Sequence, residues 1–335
     1  MFFQSRFRFL TKLIDFLYIF LYDIQYTIYY SINTNTYQRI KMSYPILTPI
    51  PSNYRRALIF DVETTGLIAK PNPANATPPR LHECPYIIQL SFIIVDLQSN
   101  RVEEAFDAYV SIPEEVEIVE RITEITGITR EKIRTSGEPI VSVMEEFYSA
   151  YIKCDIIVAH NLEFDSSMVA IEVARNKDVI RCGSARNGLC PFVSMSSLFT
   201  PALNSQYNIS MYCTMRASIE LCSIMTDYTP REATTTVIGP NEFGVITHTR
   251  SSSAKPKQFK KFPRLSELHE TLFGNTPENL HNSLIDVLVC MRCFMKIRCC
   301  VNIPDAIFER TVRTVVRKTT GVALVSVLGS SKTTH

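Results

Sequence analysis

The sequence lacks the features that would assign it to a special class of chain. Trp is absent, and Gly is scarce at 10 of 335 residues. Apolar residues make up 46% and charged residues 20%, close to the average for soluble globular proteins, which excludes a disordered or fibrous chain. The length suits one large domain with extensions, or two small domains.

The chain also lacks a strong net charge, which is +2 at neutral pH. This value neither requires a nucleic-acid partner nor excludes one, because a local patch of charge can bind phosphates on its own. The argument for any such partner must therefore come from a particular site.

A metal-binding cysteine pattern is missing, although the chain has ten Cys. Cys290 and Cys293 form a C-x-x-C, but no second pair follows at zinc-ribbon distance. Because the pair lies in an apolar helical pattern, we predict buried core thiols instead of a metal site. Without a clear secretory signal, we expect a reducing, intracellular compartment, the cytoplasm or nucleus.

No clean apolar run of membrane-spanning length occurs at the N-terminus. Residues 1–31 are rich in aromatic and aliphatic side chains, but Lys12, Asp15 and Asp23 interrupt them. Two interpretations remain, an interfacial helix or an upstream extension of the reading frame with Met42 as the true start. We favour the extension, and we do not expect residues 1–31 to contact a membrane.

Composition along the chain predicts its organisation. Residues 1–41 form an aromatic-rich extension and residues 42–56 a Pro-rich linker. A domain follows over residues 57–300, with an irregular insert at about 181–262. Residues 301–335 form a C-terminal extension with a Ser/Thr-rich tail that we expect to be disordered.

Apolar patterns predict strands that alternate with helices. Helical periodicity indicates helices at 140–151, in a segment through Ile171, at 265–273 and at 283–297, and short apolar or alternating runs predict strands at 57–61, 86–96, 103–112 and 155–160. Because the strands at 86–96 and 103–112 are consecutive, we expect a mixed sheet with helices on both faces.

Acidic residues recur at three places where elements begin or end. Asp61 and Glu63 are two apart at the end of a strand, so their side chains share a face. Asp165 stands early in a helix that follows a strand, and His281 and Asp286 are five apart at the start of another helix. Each pattern alone is as typical of a solvated strand end, a helix cap or a structural histidine.

Together the three segments resemble the motifs of the DEDDh (DnaQ-like) exonuclease family. The chain has DVE at 61–63, HNLEFD at 160–165 and HNSLID at 281–286. The resemblance covers roughly residues 57–298. It implies a ribonuclease H-like α/β fold, a mixed five-stranded sheet flanked by helices with an irregular insert between the second and third motifs.

The resemblance also implies an activity, that of a two-metal-ion 3′→5′ exonuclease releasing nucleoside monophosphates. Four carboxylates would hold two Mg²⁺ or Mn²⁺ ions, and His281 would act as general base. The catalytic residues would be Asp61, Glu63, Asp165, His281 and Asp286, of which the four acids would also be the metal ligands. All four offer the hard oxygen ligands that these cations prefer.

The implied substrate is a single-stranded 3′ end of DNA or RNA, with no small-molecule cofactor. The residues expected to contact it are Thr64, Thr65, Gly66, Leu67, Asn161 and Phe164. Core packing is an equal interpretation for Phe164. DNA cannot be separated from RNA here, because such a site grips the backbone and terminus and reads no base code. The oligomeric state stays open.

Two departures from the family pattern stand out. Ser283 occupies a position where the family has a small Ala, and we expect little effect from this nearly isosteric change. The spacing of 115 residues between Asp165 and His281 is long. Within it, residues 250–264 have six basic residues and no acid, so they are a candidate phosphate contact or simply a solvated loop. The competing hypothesis for the whole chain is a catalytically silent nucleic-acid-binding or interaction module on the same fold.

Overall fold

The structure is a computed structural model, and it describes residues 50–69, 79–182, 195–228, 234–237, 246–249, 257–324 and 326–328. The N-terminal extension, most of the linker and parts of the 181–262 stretch lie outside these residues. Within the described ranges, no helix has the length and apolar character needed to cross a membrane.

A mixed sheet of six strands forms the centre of the described chain, in the order β4-β3-β2-β1-β5-β6. β2 is antiparallel to β1 and β3, whereas β5 runs parallel to β1 and β6. Two further pairs, β7 with β10 and β8 with β9, lie outside this sheet. The described strands are β1 (Arg56–Thr64), β2 (Ile87–Asp96), β3 (Arg101–Val110), β4 (Gly137–Glu138), β5 (Ile156–Ala159), β6 (Ser210–Cys213), β7 (Met225–Tyr228), β8 (Thr234–Val237), β9 (Ile246–Thr249) and β10 (Lys257–Lys260).

Helices cover both faces of the central sheet. A 3₁₀ turn at Leu81–Glu83 precedes β2. The described α-helices are α1 (Glu120–Thr126), α2 (Arg130–Ser136), α3 (Ile140–Tyr151), α4 (Leu162–Arg175), α5 (Lys177–Cys182), α6 (Pro201–Tyr207), α7 (Thr214–Ala217), α8 (Ile219–Cys222), α9 (Leu265–Phe273), α10 (Ser283–Arg298) and α11 (Asp305–Thr320).

Strand β1 separates two hydrophobic cores because successive side chains point to opposite faces. Leu58 and Phe60 pack with residues of α3 and α4. Ala57 and Ile59 pack on the other face with residues of α10 and α11. Burial of both faces explains why the first part of β1 is apolar throughout. Further along the strand, Asp61 and Glu63 point to the same face as Ala57 and Ile59, the face that α10 covers.

The predicted fold class is confirmed, with one correction to the strand number. The sheet has six strands instead of five, since the two-residue β4 pairs with the end of β3. β6 lies within the 181–262 stretch, so part of that stretch belongs to the central sheet. The predicted helices at 140–151, 265–273 and 283–297 correspond to α3, α9 and α10. Cys290 and Cys293 are buried in α10, which confirms them as core thiols.

Candidate active site

The first motif lies at the end of β1, where polar and buried positions alternate. Asp61 and Glu63 are partly exposed, whereas Val62 and Thr64 between and after them are buried. The two carboxylates therefore share one face of the strand, as predicted. In β2, Gln89 stands opposite Glu63 and is fully buried.

The other two acidic residues occupy equivalent places in two helices. Asp165 is four residues after Asn161, the cap of α4, and Asp286 is four residues after Asn282, the cap of α10. The Asn282 side chain accepts a hydrogen bond from the amide of Ile285. A carboxylate in the first turn is stabilised by the helix dipole. Both helices thus point their N-terminal ends at the end of β1.

His281 precedes α10 in a left-handed backbone conformation, with φ of 69°. This region is uncommon for residues other than glycine, although His is among those enriched there. The His281 amide donates to Asp286 Oδ2 at 3.1 Å. One ligand atom each of Glu63, His281 and Asp286 lies within 4.8 Å of the others. The turn therefore brings the imidazole into the same cluster as the carboxylates.

Burial makes these carboxylates reluctant to ionise. It raises the pKa of Asp61 to about 7, a rise that the Ser283 hydroxyl opposes. It raises the pKa of Glu63 to about 9, to which the charges of Asp61 and Asp286 add. For Asp165 and Asp286, burial and then the charge of Asp61 raise the pKa well above the usual value. Without a compensating cation the cluster therefore holds protons near neutral pH.

Unsatisfied oxygens in the cluster fit a bound cation. Asp165 Oδ2 and Asp286 Oδ1 are buried without a hydrogen-bond partner. Buried polar atoms are normally paired, so orphaned oxygens among acids indicate an ion as the missing partner. Asp61, Glu63, Asp165 and Asp286 supply only oxygens, which suits Mg²⁺ or Mn²⁺.

A chain of hydrogen bonds attaches α10 to the sheet. The Ser283 hydroxyl donates to the carbonyl of Asp61 at 2.7 Å, and its amide donates to Gln89 Oε1 at 3.4 Å. Gln89 Nε2 and the Ser91 hydroxyl both donate to Asp107 Oδ1, at 2.7 and 2.6 Å. Alanine, which the family has at this position, could not make the bond to the Asp61 carbonyl. Ser283 therefore adds a contact between α10 and β1.

The residues predicted to contact substrate after β1 form a tight turn. The Thr64 hydroxyl donates to the Gly66 carbonyl at 2.6 Å. The Thr65 hydroxyl accepts from the amide of Tyr86 at 2.9 Å, and the Thr65 amide donates to the Tyr86 carbonyl at the same distance. Leu67 is 84% exposed at the tip of this turn, which leaves its side chain available to a ligand.

Asn161 and Phe164 lie at the start of α4. Asn161 has φ of 81° and its side chain makes no capping bond to the helix, so it is not used by the element it begins. Phe164 is partly buried and packs against the core on the α3 side. The core interpretation of Phe164 is therefore supported, and its contact with substrate stays a prediction.

An ion pair that the motif analysis did not identify supports the turn after β1. Glu172 and Arg175, one turn apart near the end of α4, are almost fully buried and bond at 2.5 Å. Glu172 also accepts from the amide of Ile87 at 3.0 Å. Arg175 covers the ring of Tyr86 at 3.7 Å and donates to the carbonyls of Leu81, Cys84 and Pro85. From sequence, Glu and Arg three residues apart in an amphipathic helix predict an ion pair on the surface. Only the packing shows that this pair is buried and supports the residues before β2.

His160 in the second motif is structural. Its Nδ1 lies 3.0 Å from the Thr214 hydroxyl and its Nε2 3.1 Å from the carbonyl of Pro263. Burial lowers the pKa of His160 to about 4. A neutral imidazole thus donates to Pro263 and attaches the segment before α9 to the start of α4.

Comparisons with known proteins find one matching family model and one curated relative. Residues 58–213 match the sequence model of the RNase_T family, described as Exonuclease. The PolC-type DNA polymerase III of Halalkalibacterium halodurans is 28% identical over 167 residues, which are 50% of this chain and 10% of that protein.

Solved structures are similar at lower identity. One of them is exonuclease I of E. coli in complex with a dT13 oligonucleotide, which is 18% identical to this chain with a TM-score of 0.44. The alignment covers 73% of this chain and 41% of the exonuclease I chain. The nuclease domain of 3′hExo, a DEDDh family member bound to rAMP, is 15% identical, with coverages of 38% and 62% and a TM-score of 0.29. The chain spans less than half the length of the polymerase and of exonuclease I.

Proposed function

We propose that this chain, which carries a domain of the exonuclease family over residues 58–213, is a metal-dependent 3′→5′ exonuclease that releases nucleoside monophosphates. The observation that carries the proposal is the convergence of three distant segments on one cluster. That cluster holds four carboxylates, two of them with an oxygen that lacks a hydrogen-bond partner, and one imidazole. A catalytically silent module would not need all five side chains in one place.

Two divalent cations would be held by the four carboxylates. When bound, they neutralise charge on the phosphoryl group and lower the pKa of the attacking water. From the family resemblance, Asp61 would help to hold both ions, Glu63 and Asp286 would help to hold one of them, and Asp165 would contribute largely through water.

His281 is the proposed general base. His281 is exposed, and partial desolvation and then the charge of Arg264 lower its pKa below the usual value. The imidazole is thus neutral at physiological pH and can accept a proton from water. The Asp286 carboxylate that accepts from the His281 amide fixes the backbone from which the ring projects.

Action at a terminus follows from the turn after β1. Glu63 is proposed to meet the terminal 3′-hydroxyl, and the exposed Leu67 to pack against the last base. Thr64 and Thr65 use their hydroxyl groups within the turn, so their part is to shape the pocket together with Gly66. Asn161 and Phe164 would line its other side.

Digestion of end-labelled strands tests the proposal. Single-stranded DNA, duplex DNA and RNA of matched sequence are incubated with Mg²⁺, with Mn²⁺ or with EDTA. We expect mononucleotides from the 3′ end, only with a divalent cation, and no release when the 3′-hydroxyl is blocked. Unchanged digestion of a 3′-blocked or circular strand would show that the enzyme does not act from an end.

A further inference from the structure

Residues 262–264 lie between the second and third motifs and are called the 262–264 segment below. The carbonyl of Pro263, itself buried, accepts from His160 Nε2 at 3.1 Å. The segment precedes α9 directly, and the amide of Arg264 donates to Glu267 in the first turn of that helix at 2.7 Å. Its backbone is therefore fixed from both sides.

Phe262 is held at the surface beside the second motif. It is 48% exposed, although two cores are available to a phenyl ring. The guanidinium carbon of Arg216 lies 5.8 Å from its ring centroid, and Arg216 also pairs with Glu163, two residues before Asp165. An exposed ring beside a guanidinium group is a surface on which a nucleic-acid base can stack.

Arg264 continues the same surface, because it follows Pro263, whose carbonyl accepts a hydrogen bond from His160 of the second motif. Arg264 is exposed, and among the described residues no ion pair includes its side chain. Its guanidinium group can therefore meet an anion that lies along this surface.

We propose that the 262–264 segment binds the substrate strand on the 5′ side of the cleaved bond, with Phe262 stacked on a base and Arg264 on a phosphate. The inference rests on the proposed exonuclease function and specifies its substrate as an unpaired strand. A base inside a duplex has both faces covered by its neighbours, so stacking on Phe262 favours an unpaired strand. Stacking accepts any base, and a phosphate contact carries no sequence information, so recognition is independent of sequence.

Two substrates of different length separate this contact from the catalytic centre. The nitrophenyl ester of thymidine 5′-monophosphate occupies the catalytic centre alone, whereas a 5′-labelled oligothymidylate also reaches the 262–264 segment. For Phe262→Ala and Arg264→Ala, we expect kcat/KM on the oligonucleotide to fall about ten- to a hundredfold further than on the ester. Circular dichroism checks that each variant is folded.

Matched controls exist on the same chain. Tyr207 in α6 is 38% exposed, so Tyr207→Ala removes an exposed ring that lies outside the basic stretch. Arg101 is exposed at the start of β3 and stands opposite Asp96 of β2. Gln89, which stands opposite Glu63, is seven residues from Asp96 along β2, a distance of about 23 Å. Tyr207→Ala and Arg101→Ala should leave both kcat/KM values as in the wild type.

Binding of the oligonucleotide in Ca²⁺, followed by fluorescence anisotropy, gives a readout without turnover. Arg264→Ala should reduce the slope of log affinity against log salt by about 0.7, as for one phosphate of a single strand. Equal losses on both substrates, or variants that bind like the controls, would overturn the contact. If the wild type hydrolyses neither substrate, the proposed function fails, and the Ca²⁺ titration still decides whether the segment binds a strand.

Discussion

Protons and cations compete for the same oxygens in the carboxylate cluster. Asp61 and Glu63 have pKa values raised to about 7 and about 9, whereas in the unfolded chain both would titrate near 4. Between these limits the folded state binds more protons than the unfolded state. The linkage relation then makes the free energy of unfolding of the metal-free protein fall as pH rises.

We therefore predict that the metal-free protein loses stability as the pH rises from about 6.5 to about 8. In this range ordinary histidines have already lost their proton and ordinary cysteines still keep theirs, so the carboxylates dominate the change. Urea midpoints in EDTA should fall over this range, and saturating Mg²⁺ should reduce the fall. Asp61→Asn, which keeps the shape and removes the charge, should have a shallower slope in EDTA. A flat wild-type profile in EDTA would contradict the pKa shifts.

His281 and Asp286 should fail in different ways when replaced by alanine. Asp286→Ala removes a metal ligand, so calorimetry should show weakened Mg²⁺ binding. His281→Ala should keep Mg²⁺ affinity, because Mg²⁺ prefers oxygen ligands, while kcat falls by roughly 10²–10⁴. In the wild type the rate should rise with pH through a midpoint below the usual histidine value, since burial lowers the pKa of His281.

That limb of the pH–rate profile provides the control for the assignment. It should vanish in His281→Ala and persist in His160→Ala, since His160 makes only structural contacts. If His281→Ala weakened Mg²⁺ binding as much as Asp286→Ala does, the histidine would be a ligand. The position of its ring nitrogen within 4.8 Å of Glu63 and Asp286 ligand atoms makes this a real alternative for softer cations such as Zn²⁺.

The sequence predicts the five cluster residues only through their resemblance to three family motifs. Each pattern alone, the paired carboxylates of a strand or an Asp in a first helical turn, is as typical of a solvated strand end or a helix cap. The attachment of Pro263 to His160 depends on contacts between residues 103 apart, and the exposure of Phe262 depends on packing around it. No local pattern contains either fact, so the 262–264 segment could be predicted only as a basic stretch.

Among the elements, α4 has two tasks. Its first turn carries Asp165, and its last turn carries the Glu172–Arg175 pair that holds the residues before β2. Those residues in turn bond to Thr65 through Tyr86. The pocket expected to receive the terminal nucleotide is therefore supported from behind by this helix.

We predict that Arg175→Ala is strongly destabilising, by about 3–5 kcal/mol, because it leaves the buried Glu172 carboxylate without its partner. The side chains of Glu172 and Arg175 are 3% and 13% exposed. Urea unfolding measures the loss. The exposed pair Arg134–Glu114 is the matched control, at 59% and 62% exposed, and Arg134→Ala should cost far less, because solvent screens an exposed pair. Equal losses in the two variants would contradict the role of burial.

Long periodic elements are predicted well, and short ones are not. β1 and β2 follow from apolar runs, and α3 and α10 follow from helical periodicity over many residues. β6 has four residues within an irregular stretch, and it becomes a strand because β5 offers it a parallel edge. The two-residue β4 likewise depends on the end of β3. Tertiary pairing decides such elements, and the sequence alone does not contain it.

At the scale of the whole chain, the described core begins with β1 and ends beyond the region of family resemblance. Phe308, Val312, Val315 and Val316 of α11 are buried against the α10 side of the sheet. The C-terminal extension thus contributes packing residues through this helix and as far as Val327, which is fully buried and whose carbonyl accepts from the amide of Glu278 at 2.6 Å. The predicted domain limits otherwise stay a prediction.

We predict that a chain starting at Met42 keeps the activity and solubility of the full chain or improves on them. The first motif follows residue 56, and residues 1–31 have no clean apolar run of spanning length. Expression of both forms, with the nuclease assay and size-exclusion chromatography, measures the effect. Loss of folding on truncation would show that the aromatic segment packs on the domain.

The bond from Ser283 to the Asp61 carbonyl joins residues 222 apart in sequence, and this separation bears on protein synthesis. A ribosome makes Asp61 and Glu63 early and α10 late, while folding proceeds from the N-terminal side. Until α10 docks, the cluster lacks Asp286 and His281. On the proposed chemistry, the nascent chain cannot hydrolyse nucleic acid, the message being translated included. Activity appears only after α10 has been synthesised and has docked on the sheet.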